Sequence, residues 1–131
     1  MSRVPRSLEH LKTGVTAEAT AAARFRAYAA RAEQDGHPNL ADRWRELAAN
    51  KDALAVMQLE AAGQVGDGGT NLRAALAEER FENDVLYPKL IRSVEDDTVE
   101  VFQQVVSAQQ TTVETLERLR DALQASTGDV D

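Results

Sequence analysis

Apolar residues recur every three or four positions along most of the chain, a spacing typical of one face of an α-helix. Four segments carry this pattern, and turn signals separate them. The first helix is predicted to begin after Ser7, a candidate N-cap, and to end at Gly36. The second is predicted to begin at Pro38, a residue type favoured in the first turn, and to run to about Gly63. These segments form a first helical hairpin.

A short glycine-rich linker follows, with the sequence Gly-Gln-Val-Gly-Asp-Gly-Gly over residues 63–69. The third helix is predicted to begin with Thr70 as its cap. Tyr87-Pro88 should kink or end this helix, because proline lacks a backbone donor.

The fourth helix is predicted to begin with Asp97 as its cap and to last to about Ala125. The ends, about 1–6 and 126–131, are predicted to be flexible tails. Four helices of about 25 residues can enclose one continuous core. We therefore expect a single all-α domain over residues 1–131, a four-helix bundle made of two helical hairpins.

Composition narrows the classes of function. The net charge of −7 repels phosphate backbones and anionic lipid, so neither nucleic acid nor a membrane is expected as a partner. Because the chain has no cysteine, disulfides, thiolate nucleophiles, iron–sulfur clusters and thiolate zinc sites are excluded. No apolar run approaches the ~20 residues that span a bilayer, and no segment resembles a secretory signal. These features favour a cytoplasmic protein.

Each apolar stripe is interrupted near its middle by polar residues. The four helices contribute, in order, Glu18; Lys51; Glu79 and Glu82; Gln109 and Thr112. An unpaired charge in a dry core costs several kcal/mol, so polar residues on all four stripes indicate that they meet in one cluster. The alternative is that the stripes are misphased and these charges face water.

Three stretches of the chain carry a further pattern. They are Ala17-Glu18-Ala19 with Ala27-Tyr28-Ala29 and Asp35-Gly36; Asn71-Leu72-Arg73-Ala74-Ala75 with Glu79-Arg80-Phe81-Glu82; and Val85-Leu86-Tyr87-Pro88. A Glu-x-x-Glu pair followed by Leu-Tyr-Pro at this interval resembles the rubrerythrin branch of the ferritin-like superfamily. The similarity extends from about Leu8 to Leu123. It implies a four-helix bundle and, in ordinary members, a di-iron carboxylate centre that reduces peroxide or handles iron and oxygen.

The ligand set that the resemblance implies is only partly present. Glu18, Glu79 and Glu82 match family carboxylates, and we interpret them as remnant metal ligands of a degenerate site. The family's two Glu-x-x-His motifs fall on other residues here, namely Lys51 with Leu54 and Gln109 with Thr112. The two histidines of the chain, His10 and His37, lie near predicted helix ends, so neither is expected to replace the missing ligands.

Lys51 is the candidate replacement for a metal ion. Its ammonium would neutralise the remaining carboxylates, and Gln109 and Thr112 would complete their hydrogen bonds. Tyr87 is a further candidate neighbour of the cluster, or else a buried tyrosine bonded to a backbone carbonyl. Three carboxylates against one ammonium leave excess negative charge, so one carboxyl should be protonated or exposed, unless a divalent ion shares the site.

Three functions of different classes remain open, and whether the chain is an enzyme remains open with them. The favoured one is a metal-free relic without a cofactor that acts as a dimerising or partner-binding module. The second is a metal-dependent oxidoreductase that holds one Fe or Mn ion on Glu18, Glu79 and Glu82. The third is acid–base or amine catalysis by Lys51 with the same glutamates.

Linker length bears on assembly. Seven residues span at most about 25 Å, less than the ~37 Å length of a helix, so a crossover along the bundle is difficult within one chain. Either the helices follow an up-and-down order or two chains exchange hairpins. We expect a homodimer, with or without such domain swapping.

Overall fold

The protein is described by a computed structural model that covers residues 5–126 and 128–130. Residues 1–4, 127 and 131, which belong to the predicted tails, lie outside the described residues. The helical elements are α1 (Pro5–Gln34), α2 (Pro38–Ala61), α3 (Gly68–Phe81), a π-helical turn (Glu82–Leu86), α4 (Tyr87–Ile91) and α5 (Asp96–Ala125). The backbone stays helical from α3 through the π turn into α4, so these three elements form one long helix. The predicted all-α, four-helix organisation is confirmed.

The chain divides into two compact units, Met1–Val65 and Gly66–Asp131. In the first unit, which we call hairpin 1, α1 packs against α2. In the second unit, hairpin 2, α3 packs against α5, and the π turn and α4 also contact α5. The two predicted helical hairpins are therefore confirmed, whereas a single domain over residues 1–131 stays a prediction.

Glycine ends both helices of hairpin 1. Gly36 and Gly63 have positive φ angles of 79° and 71°, a conformation that a side chain disfavours. The amide of His37 donates to the Ala32 carbonyl at 2.8 Å, which closes the Schellman motif that ends α1. The predicted ends of the first two helices are thus confirmed to within about two residues.

The helix starts differ from the predictions in three places. The cap of α3 is Asp67 rather than Thr70, because the Asp67 carboxylate accepts the Thr70 amide at 2.8 Å. Helix α1 already includes Pro5, before the predicted cap Ser7. Helix α5 begins at Asp96, one residue before the predicted cap Asp97.

Alanine forms the contact between the helices of hairpin 1. On α2 the buried residues Ala41, Ala48 and Ala55 stand at intervals of seven, and Ala22 and Ala29 of α1 are buried with the same interval. Such small side chains allow two helix backbones to approach closely, which increases dispersion contact along the whole seam. The core of hairpin 1 is therefore an alanine seam.

The apolar stripe predicted to face the core from α2 lies beside this seam. Its residues Leu40, Leu47 and Leu54 are 50%, 45% and 40% exposed. Within hairpin 1, the contact between α1 and α2 is formed by the alanine seam and not by this stripe, and the expectation that the stripe faces the core of a four-helix bundle stays a prediction. Two stripes with the same seven-residue interval run next to each other on α2, and the alanine stripe allows the closer approach to α1.

Proline is accommodated within the third long helix. The amide of Tyr87 donates to the Glu82 carbonyl, five residues back, directly before Pro88. A proline ring clashes with the carbonyl four residues earlier in an ordinary α-helix, and the wider π turn changes this spacing. The expected interruption at Tyr87-Pro88 therefore takes the form of a π turn, and the helix continues to Ile91.

No helix among the described residues is long and apolar enough to cross a membrane.

Candidate functional site

Hairpin 1 contains an ion pair in the middle of its length. Nζ of Lys51 on α2 lies 2.9 Å from Oε2 of Glu18 on α1, and the two side chains are 34% and 23% exposed. The contact follows from the antiparallel packing of α1 on α2, which brings the middle of each helix to the same level. The structure thus unites two of the residues that the sequence singles out.

The Glu18–Lys51 contact is electrostatic rather than a well-aligned hydrogen bond. Oε2 of Glu18 is buried and has no hydrogen-bond partner of suitable geometry, although the ammonium lies at ion-pair distance. Water screens the attraction between the two charges less in a half-buried pair than in a surface pair. Burial also removes more of the hydration of both charges. The pair therefore fixes the local charge balance and adds little net stability.

Hairpin 2 holds a second polar group between its helices. Nε2 of Gln109 on α5 donates to Oε1 of Glu82 at 2.8 Å. One position further along, Nδ2 of Asn83 donates to the backbone carbonyl of Val106 at 3.1 Å. These bonds tie the π turn to α5 through side chains that are buried or half-buried.

Three buried oxygens in this region have no hydrogen-bond partner. They are Oε2 of Glu79, Oδ1 of Asn83 and Oε1 of Gln109. All three are acceptors, and a buried acceptor without a donor costs roughly 1–3 kcal/mol. With Glu82 they form what we call the acceptor cluster, which is suited to a proton, an ammonium or another cation.

The direction of the Glu79 pKa shift agrees with this shortage of donors. Burial raises the pKa of Glu79 above its ordinary value, and the neighbouring carboxylates of Glu82 and Glu78 raise it further. A positive charge near Glu79 would lower its pKa, because it favours the ionised form of the carboxyl.

Two other predicted site residues lie outside the acceptor cluster's hydrogen bonds. Thr112 is exposed, and its Oγ1 donates to the Ala108 carbonyl of its own helix at 3.5 Å. The ring of Tyr87 is half-buried and lies 5.5 Å from the ring of Phe102.

Asn83 is a polar site residue that the sequence pattern does not reveal. It is 8% exposed and stands seven residues after Leu76, which is also buried. When the inward-facing stripe of the third helix is drawn through Glu79 and Glu82, Asn83 lies at the edge of that stripe. The seven-residue interval from Leu76 is the signal that identifies it as inward-facing.

The residues present do not fit a di-iron centre. Such a centre in this class of bundle uses about four carboxylates and two imidazoles. Among residues 5–126 and 128–130, no three His, Cys, Asp or Glu side chains gather closely enough to hold a metal ion. The acceptor cluster offers two carboxylates and two amides, and the carboxylate of Glu18 faces an ammonium.

Comparison with models of known protein families gives no match, and comparison with curated proteins gives none either.

Proposed function

We propose that this protein is a ferritin-like, rubrerythrin-type four-helix bundle that has lost its di-iron centre and acts as a metal-free, homodimeric interaction module. The observation that carries the proposal is the Lys51 ammonium 2.9 Å from the Glu18 carboxylate. In the resemblance, Glu18 matches a metal ligand and Lys51 falls where relatives keep a glutamate. The position at which relatives keep a glutamate ligand thus carries a positive charge in this chain.

Electrostatics supports a metal-free state. The Lys51 ammonium beside Glu18 satisfies the carboxylate that a metal would need, and its charge repels a divalent ion approaching the same place. The positions that match the Glu-x-x-His motifs carry no histidine, so the imidazole ligands that ordinarily complete iron coordination are absent from them. Metal binding would have to displace Lys51 without gaining a full coordination shell.

The surface of hairpin 1 supports a role in interaction. Leu40, Leu47 and Leu54 of α2 and Tyr28 of α1 are each at least 40% exposed. The described residues include no large side chain that is fully buried, so the core is built from small residues. Exposed apolar faces of this kind are typical of protein–protein contact.

Metal analysis tests the proposal. We expect protein purified in air, and then incubated with Fe(II) or Mn(II) and desalted, to retain far less than one ion per chain. A variant with Lys51→Glu, Leu54→His, Gln109→Glu and Thr112→His rebuilds both Glu-x-x-His motifs, and we expect it to retain metal.

The matched control carries only Leu54→His and Thr112→His, which add imidazoles while Lys51 remains. We expect this control to bind metal no better than the unmodified protein. Tight, stoichiometric metal in the unmodified protein would overturn the proposal.

A second candidate is a metal-dependent oxidoreductase with a single Fe or Mn ion. The unpartnered oxygens of Glu79, Asn83 and Gln109 favour it, because hard cations prefer oxygen ligands. The same metal analysis distinguishes it from the metal-free module. The ion pair disfavours the third candidate, amine catalysis by Lys51, because a neutral amine would lose its attraction to Glu18.

A further inference from the structure

The acceptor cluster is built within hairpin 2 from one short stretch of each of its long helices. Asn83 donates to the Val106 carbonyl of α5. Gln109, three residues further along α5, donates to Glu82. Both bonds cross from the π turn to neighbouring turns of α5, so the side chain of Asn83 points into the same gap between the helices as the Glu82–Gln109 pair.

Asn83 is the most deeply buried member of the cluster. It is 8% exposed, and within residues 5–126 and 128–130 it is the one polar residue that is buried. Its Nδ2 is bonded to α5, whereas its Oδ1 has no hydrogen-bond partner. Oε2 of Glu79 and Oε1 of Gln109 have the same deficit. Buried side-chain oxygens are ordinarily bonded, so three in one place indicate a missing donor.

The carboxylates of the cluster also have no counter-ion. Arg80 follows Glu79 directly, but its guanidinium lies 2.9 Å from Glu117 instead. In the part of the chain that the structure describes, no basic side chain forms an ion pair with Glu79 or Glu82. The only donor that reaches the Glu82 carboxylate through a side-chain bond is the neutral amide of Gln109. The missing donor should therefore carry positive charge.

The cluster reaches the surface of hairpin 2. Glu79, Glu82 and Gln109 are each half-buried rather than fully enclosed. Their long side chains have several staggered conformations, so rotation can turn the oxygens towards a small ligand at this edge. Each bond that such a ligand donates would also remove the cost of an unpartnered acceptor.

We propose that the acceptor cluster binds a primary ammonium group, carried by a small alkylamine or by a lysine side chain. A primary ammonium has three N–H donors and one positive charge, which match the three unpartnered oxygens and the carboxylates without a counter-ion. Its hydrogen bonds to carboxylate are charge-assisted and roughly twice as strong as neutral ones. This inference rests on the metal-free state proposed above and names the chemistry that the site takes.

A comparison of two cations tests the proposal. n-Butylammonium has N–H donors, whereas tetramethylammonium has the same charge and no donor. In NMR titrations we expect n-butylammonium to bind at least about tenfold more tightly and to shift the side-chain amide signals of Asn83 and Gln109. Equal binding of the two cations, or no binding of n-butylammonium, would overturn the proposal.

A blocked Gly-Lys-Gly tripeptide distinguishes the two sources of the ammonium group. Binding of both the tripeptide and n-butylammonium supports a site that accepts lysine side chains. Binding of n-butylammonium alone supports a site for free amines. The same tripeptide with an acetylated lysine has no charge at that position and should not bind.

Substitution of the carboxylates supplies a second measurement. Glu79→Gln with Glu82→Gln removes both charges and keeps an oxygen at each position, so we expect at least about tenfold weaker binding of n-butylammonium. Glu78→Gln, at the exposed neighbouring position, is the matched control and should bind like the unmodified protein. Circular dichroism follows helix content. Glu79→Gln alone leaves the Glu82–Gln109 bond in place and replaces the double variant if that variant does not fold.

Equal affinity of the Glu78→Gln and Glu79→Gln variants would contradict the assignment of the site. Failure of this inference is distinguishable from failure of the proposed function. Metal-free protein that does not bind n-butylammonium overturns the ammonium site alone, whereas tight, stoichiometric metal in the unmodified protein overturns the proposed function.

Discussion

At the scale of single residues, one carboxylate holds the start of hairpin 2 in place. Asp67 accepts the Thr70 amide and occupies the cap position of α3. This backbone hydrogen bond and the hydroxyl of Thr70 lower the pKa of Asp67 below its ordinary value. The unfolded chain therefore binds a proton at Asp67 more readily than the folded chain does.

This difference predicts a pH dependence. The stabilisation by Asp67 is present above its ordinary pKa and is lost as pH falls through that value towards the lowered one. We expect Asp67→Ala to lower the unfolding midpoint at neutral pH. Asp67→Asn keeps an acceptor for the cap but not the charge, so it should lower the midpoint less and weaken the dependence on acidic pH. Urea unfolding across the acidic range measures both. Equal pH profiles for Asp67→Asn and the unmodified protein would contradict this assignment.

At the scale of elements, α2 illustrates how two stripes share one helix. The alanine stripe that includes Ala48 faces α1, and the leucine stripe that includes Leu47 lies beside it and remains half-exposed. Hydrophobicity alone favours burial of the leucines, because they have more apolar area. The alanines form the contact because close approach of two long backbones adds many small dispersion contacts. The order of stripes around α2 is thus set by side-chain size.

Enlarging a seam residue tests this explanation. We expect Ala48→Leu to destabilise hairpin 1 by about 1–3 kcal/mol, because the site is 2% exposed and has no space for a larger side chain. The matched control is Ala49→Leu at the exposed neighbouring position, for which we expect a change within about 0.5 kcal/mol. Urea unfolding followed by circular dichroism gives both values. Equal effects of the two substitutions would show that the alanine seam is not the core.

At the scale of the whole molecule, assembly is proposed to depend on the apolar face of hairpin 1. A chain with a net charge of −7 resists non-specific association, so a dimer requires a defined apolar contact with compensated charge. Leu40, Leu47 and Leu54 of α2, with Lys51 among them, provide such a surface. Its apolar members should contribute most of the affinity, and its charge should determine which surface it accepts.

A single substitution separates this face from other exposed apolar residues. We expect Leu47→Glu to convert the proposed dimer to a monomer in light scattering, because a carboxylate would be buried within an apolar contact. Met57→Glu adds the same charge on α2, where the side chain is 60% exposed, and should leave the dimer intact. Loss of the dimer in both variants, or in neither, would argue against this face as the contact.

The local sequence pattern was sufficient to identify some residues of the candidate site and insufficient to identify others. Glu18 and Lys51 were identifiable from sequence, because each interrupts an apolar stripe near mid-helix, and they lie 2.9 Å apart. Glu82 and Gln109 were identifiable in the same way and share a hydrogen bond. Asn83 was not singled out, because the stripe was phased through Glu79 and Glu82, whereas the signal for Asn83 is its seven-residue interval from the buried Leu76.

The sequence by itself determined the number of helices, their pairing into hairpins and most of their ends. These features depend on apolar periodicity and on caps within a few residues, such as Gly36 and Gly63, and they need no distant partner. Only the tertiary structure decided which stripe of α2 meets α1, and which polar atoms are buried without partners. Those outcomes depend on how closely two particular surfaces approach, and that distance is set by both surfaces together.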